Sequence, residues 1–207
     1  MRIGIFGGTF DPVHVGHLIM AEQAREQAHL DQVWFVPSFH PPHKQGQEIA
    51  PFERRVDMLS FALAGQEDRF RVDLIEQQRG GLSYTADTLA ALTEQHPGAE
   101  WFLLLGADCL PDMPKWHEPR AVLAQATVLA VARPGFHLMT AEQLAASLGI
   151  EAAAVRVQAV HVPLIDISSR DLRRRVKEGR SILYQVPHAV GVYIRERKLY
   201  RLADALE

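Results

Sequence analysis

Gly7-Gly8-Thr9-Phe10-Asp11-Pro12-Val13-His14-Val15-Gly16-His17 is the stretch that decides the fold of this chain. An apolar run, Ile3 to Phe6 with Gly4 inside it, precedes the stretch and predicts a first buried strand. Leu18 to Ala24 follows, with apolar residues at 18, 19, 21 and 24, and predicts a helix. The stretch is therefore a strand-to-helix turn. Its glycines let the backbone pass close to a ligand, and His14 and His17 lie three residues apart, facing one point from the helix start. A helix N-terminus has free N–H groups, so imidazoles beside it make a place to hold phosphate. Histidines there can also simply cap and pack, but the strand–turn–helix context and the His-x-Gly-His spacing argue for phosphate.

Working outward, strands are predicted at 2–6, 32–37, 70–74, 101–105, 127–132 and 155–162. Helices are predicted at 17–28, 51–64, 84–95, 119–125, 141–148, 169–178 and 188–196. This alternation implies βαβ units with right-handed crossovers. The expected architecture is α/β: a Rossmann-like, doubly wound parallel sheet with helices on both faces, in one domain over 1–207. Ligands in such sheets bind beyond the carboxyl ends of the strands, at the switch point. The polar segments fall there: the Gly7–His17 turn after the first strand, Pro37 to Lys44 after the second, Gly106-Ala107-Asp108 after the fourth and Arg133-Pro134 after the fifth.

Composition narrows the partners. The chain has 207 residues and a formal net charge of -3, so no general basic field is available for long nucleic acid. Cys109 is the single cysteine and cannot form an internal disulfide, which favours a reducing, cytoplasmic setting. The first residues do not read as a signal peptide, and no run is apolar enough to predict a membrane span. Whether the chain forms a homo-oligomer stays open.

A second anion site is predicted at Ile167-Ser168-Ser169-Arg170-Asp171-Leu172-Arg173. Ser168 or Ser169 is a natural N-cap, and Arg173 lies one turn on, able to reach back toward the same phosphates. Arg173-Arg174-Arg175 with Lys177 also fits a solvated basic face.

Gly8 to His17 resembles the GxFDPxHxGH signature of the nucleotidyltransferase superfamily. The Ser168–Arg173 segment resembles that superfamily's ISSTxxR motif, departing from it at Arg170, where threonine is usual. Within the superfamily, Val36 to Lys44, Ser83-Tyr84-Thr85-Ala86-Asp87-Thr88-Leu89, and Gly106-Ala107-Asp108 followed by Trp116-His117 resemble segments of the nicotinate-nucleotide adenylyltransferases. Tyr184 to Tyr200 resembles their C-terminal segment. The resemblance implies adenylyl transfer from ATP to nicotinate mononucleotide, giving deamido-NAD and pyrophosphate in NAD biosynthesis, with Mg²⁺ bound along with ATP.

It also implies site roles. His14 and His17 would contact the ATP phosphates, with Arg173 as the third catalytic residue. Gly8, Thr9 and Phe10 would shape the cradle, and Gly106, Asp108, Arg133, Ser168 and Ser169 would complete the ATP side. Ser38, Lys44, Tyr84, Thr85, Trp116 and His117 would line the acceptor side, with the indole of Trp116 stacking on the pyridine ring.

Other chemistries fit less well. Neither His14/His17 nor His40/His43 has the helical i, i+4 spacing with an interposed Glu of a zinc site. The G-x-G-x-x-G fingerprint of nicotinamide-dependent oxidoreductases is absent. A non-catalytic nucleotide-binding module and phosphopantetheine adenylyltransferase remain as alternatives; the latter usually has threonine at the first histidine of the motif.

Overall fold

The computed structural model describes residues 1–44, 46, 48–131 and 138–201. Six strands, β1 (Arg2–Gly8), β2 (Gln32–Pro37), β3 (Phe70–Val72), β4 (Glu100–Gly106), β5 (Ala126–Val131) and β6 (Val157–Val160), form one sheet. Their order is β3-β2-β1-β4-β5-β6, and every neighbouring pair is parallel. The order reverses between β1 and β4, so the switch point lies where Gly8 and Gly106 end their strands.

Helices α1 (Val15–Gln27), α2 (Phe52–Leu63), α3 (Ile75–Arg79), α4 (Thr85–Gln95), α5 (Pro119–Gln125), α6 (Ala141–Leu148), α7 (Ser169–Lys177) and α8 (His188–Glu196) cover the sheet. The strand period of two separates two cores. Phe6, Phe102 and Leu104 face one side with Phe10, Phe35, Met58 and Leu172, while Ile3, Ile5, Trp101 and Leu103 face the other with Trp34, Leu89 and Leu92. A third cluster, around Leu110, Val128 and Leu144, lies under α6. No helix among the described residues is long and apolar enough to cross a membrane.

The central strand is packed to the limit at Gly4. A Cβ there would stand 2.7 Å from Cδ1 of Leu30 and 3.0 Å from Cδ1 of Leu104. Gly4→Ala is expected to destabilise the protein by about 1–3 kcal/mol through overpacking. Chemical denaturation checks this: the midpoint should fall with the slope unchanged.

The predicted elements are all present, with shifted edges and four additions. The strand predicted at 70–74 stops at Val72, because the Asp73 carboxylate accepts from the backbone N–H of Ile75 (2.9 Å) and turns the chain into α3, which was not predicted. The strand predicted at 155–162 is only Val157–Val160. The segment after β4, for which no element is predicted, is a 3-10 helix from Ala107 to Lys115; Pro111 and Pro114 inside it cannot donate to a helical ladder. Shorter 3-10 turns occupy Pro42–Lys44 and Ala152–Ala154. α1 begins at Val15, two residues earlier than predicted, because His14 takes the N-cap position.

Candidate active site

The turn after β1 is built from inside out. Phe10 adopts a left-handed backbone (φ 49°) and is 2% exposed, with its ring edge-on to Phe6 and His17. The strain of that conformation is offset by burying a full aromatic ring. Gly8 makes room, since a Cβ there would come within 3.2 Å of the Phe10 ring. The contribution of Phe10 to the cradle is therefore its backbone, because its side chain is core.

The two histidines are stacked, with centroids 3.6 Å apart and planes at 24°. The backbone N–H of His14, at the N-cap, donates to Nδ1 of His17 (3.2 Å). With Nδ1 accepting, a neutral His17 carries its proton on Nε2, which makes Nε2–H a fixed donor. Gly16, between them in the motif, is explained by packing: a Cβ there would meet the His14 ring at 3.1 Å. The aromatic edges of Phe6 and Phe10 hold the His17 ring from behind (5.8 and 5.2 Å).

Cations converge on this turn from three directions. Lys44 Nζ donates to the Thr9 hydroxyl at 2.8 Å. Burial first, then the nearby Arg173, hold its pKa below the usual lysine value, with Arg55 and Arg170 adding to the effect. Arg170 is thus exposed but close enough to strengthen the same positive field.

Arg55 is 2% exposed and donates to the carbonyls of Thr9 (2.9 Å) and Ala50 (3.1 Å). Burial lowers its pKa from the ordinary value. Ser38 joins through its backbone, its N–H donating to the Gly8 carbonyl at 2.8 Å.

α7 docks on the far side of the turn. Ser168 is its N-cap, accepting from the N–H of Asp171 at 3.2 Å. The Ser169 hydroxyl donates to the carbonyl of Pro12 (2.9 Å); with the Asp171 N–H taken by Ser168, the first-turn N–H groups that can meet an anion are those of Ser169 and Arg170. Arg173 Nη1 donates to the Asp11 carbonyl at 2.7 Å. The rest of the basic run points elsewhere: Arg174 pairs with Asp171, and Arg175 donates to the Ser181 carbonyl.

The residues expected on the acceptor side form a neighbouring group. Tyr84 caps α4, which starts at Thr85, and its ring lies 4.3 Å from that of His117. Trp116 is half-buried, packed against two of the core clusters. Ser83 exchanges hydrogen bonds with the backbone of His40, both at 3.0 Å, which ties this group to the segment carrying Lys44. A cavity of about 420 Å³ lies at that junction, lined by Phe39, His40, Lys44, Phe52, Arg55 and Leu82. Gly106 is buried at the end of β4, and Asp108 follows in the 3-10 helix. Arg133 lies outside the described residues.

Residues 5–175 match the model of the cytidylyltransferase-like family. A protein of Thermomicrobium roseum named "probable nicotinate-nucleotide adenylyltransferase" is 44% identical over 99% of this chain and 94% of its own length. One from Thermus thermophilus with the same name is 45% identical over 97% of this chain and 100% of its own. The chain belongs to the nicotinate-nucleotide adenylyltransferase family, within the cytidylyltransferase-like proteins. Its fold is that of Plasmodium falciparum nicotinic acid mononucleotide adenylyltransferase complexed with NaAD, at TM-score 0.78 and 18% identity over 96% of this chain and 97% of that one.

The turn is also held by residues outside the predicted site set. Arg55 and Tyr200 bind the turn from α2 and from beyond α8. Glu76, 6% exposed, accepts from the Phe39 N–H (3.1 Å) and the Thr88 hydroxyl (3.0 Å), locking the segment after β2 to α4. A signal was available for Arg55 alone: an Arg on the apolar face of the helix predicted over 51–64 is out of place unless paired.

Proposed function

We propose that the chain transfers the adenylyl group of ATP to nicotinate mononucleotide, releasing pyrophosphate and forming nicotinate adenine dinucleotide. The observation that carries this reading is the convergence of the stacked His14/His17 pair, Lys44, Arg173 and the α7 N-terminus at the sheet's switch point. Such a site binds a polyphosphate and offers donors where charge develops in phosphoryl transfer.

In the reaction a phosphate oxygen of the acceptor forms a bond to the α-phosphorus as the bond to the bridging oxygen of pyrophosphate breaks. The acceptor is already an anion, so no protein nucleophile or base is required. What the protein supplies is alignment, worth up to ~7–11 kcal/mol for well-oriented reactants, and stabilisation of spreading negative charge. Nε2–H of His17 and the His14 imidazole would serve the α- and β-phosphates, with Arg173 and the α7 N–H groups on the leaving pyrophosphate. Lys44, which donates to Thr9 and lines the neighbouring cavity, would serve the acceptor's phosphate.

Among the described residues no three or more His, Cys, Asp or Glu side chains gather as a metal set. Hydroxyls, imidazoles and cations suit a Mg²⁺ carried by the triphosphate, which keeps its waters and takes few protein ligands. Bound along with the triphosphate, the ion would offset the negative charge that develops on the leaving pyrophosphate. The half-buried Cys109 is consistent with a cytoplasmic setting.

On the acceptor side, Trp116→Ala is expected to raise KM for nicotinate mononucleotide about three- to thirtyfold by removing the stacking face, with a smaller change in KM for ATP. Initial-rate kinetics with each substrate varied in turn checks this.

The function itself is tested by pyrophosphate release with ATP and Mg²⁺ and three acceptors. Turnover should be strong with nicotinate mononucleotide and about ten- to a hundredfold lower in kcat/KM with the nicotinamide form, whose amide presents N–H groups to donors meant for a carboxylate. Turnover with phosphopantetheine alone would reassign the acceptor. No release with any acceptor would leave a nucleotide-binding module.

A further inference from the structure

Asp11 is a carboxylate buried to 1% exposure in the middle of the phosphate site, with Arg173, Arg55 and Lys44 around it. A carboxylate so placed ordinarily forms a bidentate pair with a neighbouring guanidinium. Here it does not. Arg173 Nη1 stands 3.7 Å from Oδ2 of Asp11 and donates at 2.7 Å to the Asp11 backbone carbonyl. Oδ1 is taken by the hydroxyl of Tyr200, which donates to it at 2.7 Å from 189 residues along the chain.

Tyr200 is fixed for this task. Its backbone is left-handed (φ 64°), an expensive conformation for a tyrosine, and its ring packs on the core beside Met58. Burial, and then the Asp11 charge, raise its pKa well above the ordinary phenol value, so the hydroxyl stays a donor throughout the working range.

We propose that Tyr200 is a positioning residue that keeps the Asp11 carboxylate from closing into a bidentate pair with Arg173, so that the guanidinium, hydrogen-bonded to the Asp11 carbonyl and 3.7 Å from Oδ2, stays available to the phosphates of ATP. This inference rests on the adenylyl-transfer reading above. Without the hydroxyl, Asp11 is left with an unsatisfied buried oxygen, and rotation toward Arg173 satisfies it. The paired guanidinium would then meet phosphate with its N–H donors already committed.

The experiment is a double-mutant cycle of Tyr200→Phe with Arg173→Ala, read as kcat/KM for ATP beside wild type. Wild type releasing no pyrophosphate would refute the parent reading, independently of the cycle. With wild type active, Tyr200→Phe should cost about tenfold or more in kcat/KM for ATP, with KM for nicotinate mononucleotide within about twofold. In the Arg173→Ala background the same change should cost less than about twofold. An equal loss in both backgrounds, or no loss in either, overturns the proposal, since a purely structural tyrosine would act regardless of Arg173. Should Tyr200→Phe fail to fold, it is tested in the Asp11→Asn background, where the competing charge is gone. There Tyr200→Phe should change kcat/KM for ATP by less than about twofold relative to Asp11→Asn alone, and a loss beyond about tenfold overturns the proposal.

Discussion

His17→Ala is expected to lower kcat by about a hundred- to a thousandfold while leaving KM for nicotinate mononucleotide nearly unchanged. The range is that for removing one preorganised donor from the position where negative charge develops. Preorganisation is visible in the structure: Nδ1 of His17 is committed to the His14 N–H, the ring is stacked on His14, and Phe6 and Phe10 back it. An alanine removes the donor and leaves the backbone turn. The helix should lose about 1 kcal/mol or less, because one capping contact goes and α1 stays buried through Ala21 and Ala24. Steady-state kinetics together with thermal denaturation separates the two effects. A rise in KM for nicotinate mononucleotide with kcat intact would place His17 in the acceptor subsite.

Arg173→Ala should cost a comparable hundred- to thousandfold in kcat, with part of the loss appearing as weaker ATP binding. It differs from the histidine in its effect on the fold. Arg173 lies against the buried Asp11, so its removal takes away a charged neighbour and a hydrogen bond to a buried carbonyl, at about 1–3 kcal/mol. Arg173→Lys restores a positive charge without the planar fork, and is expected to recover only part of kcat. A fully active Arg173→Ala protein would assign the phosphates wholly to the β1 turn and Lys44.

Much of this was legible in the sequence for physical reasons. The parallel sheet followed from apolar runs alternating with helical periods, and the strand-to-helix turn after β1 from glycines and histidines at one strand end. A cap at Ser168 or Ser169 was readable because serine before a helix has few other uses, and the structure gives that place to Ser168. The acceptor group was legible only through resemblance, since Tyr84 and His117 approach each other through tertiary packing that local spacing does not encode. Arg55, Asp11, Glu76 and Tyr200 were missed as site residues for the same reason. Each acts through a partner between 12 and 189 residues away. Arg173 could not be separated from its run of basic neighbours until α7 was seen docked, with that one guanidinium turned inward. The helix from Ile75 to Arg79 escaped because five residues are too few to show a period.

The docking of α7 on the β1 turn spans 157 residues between Ser169 and Pro12, and Tyr200 closes it from further still. A chain shortened before Ser169 therefore keeps the histidine pair but loses both ties of α7 to the β1 turn, Ser169 on Pro12 and Arg173 on Asp11. The finished cradle is a loop closure of the longest kind, and any ligand gripping both halves works as a reversible staple across it.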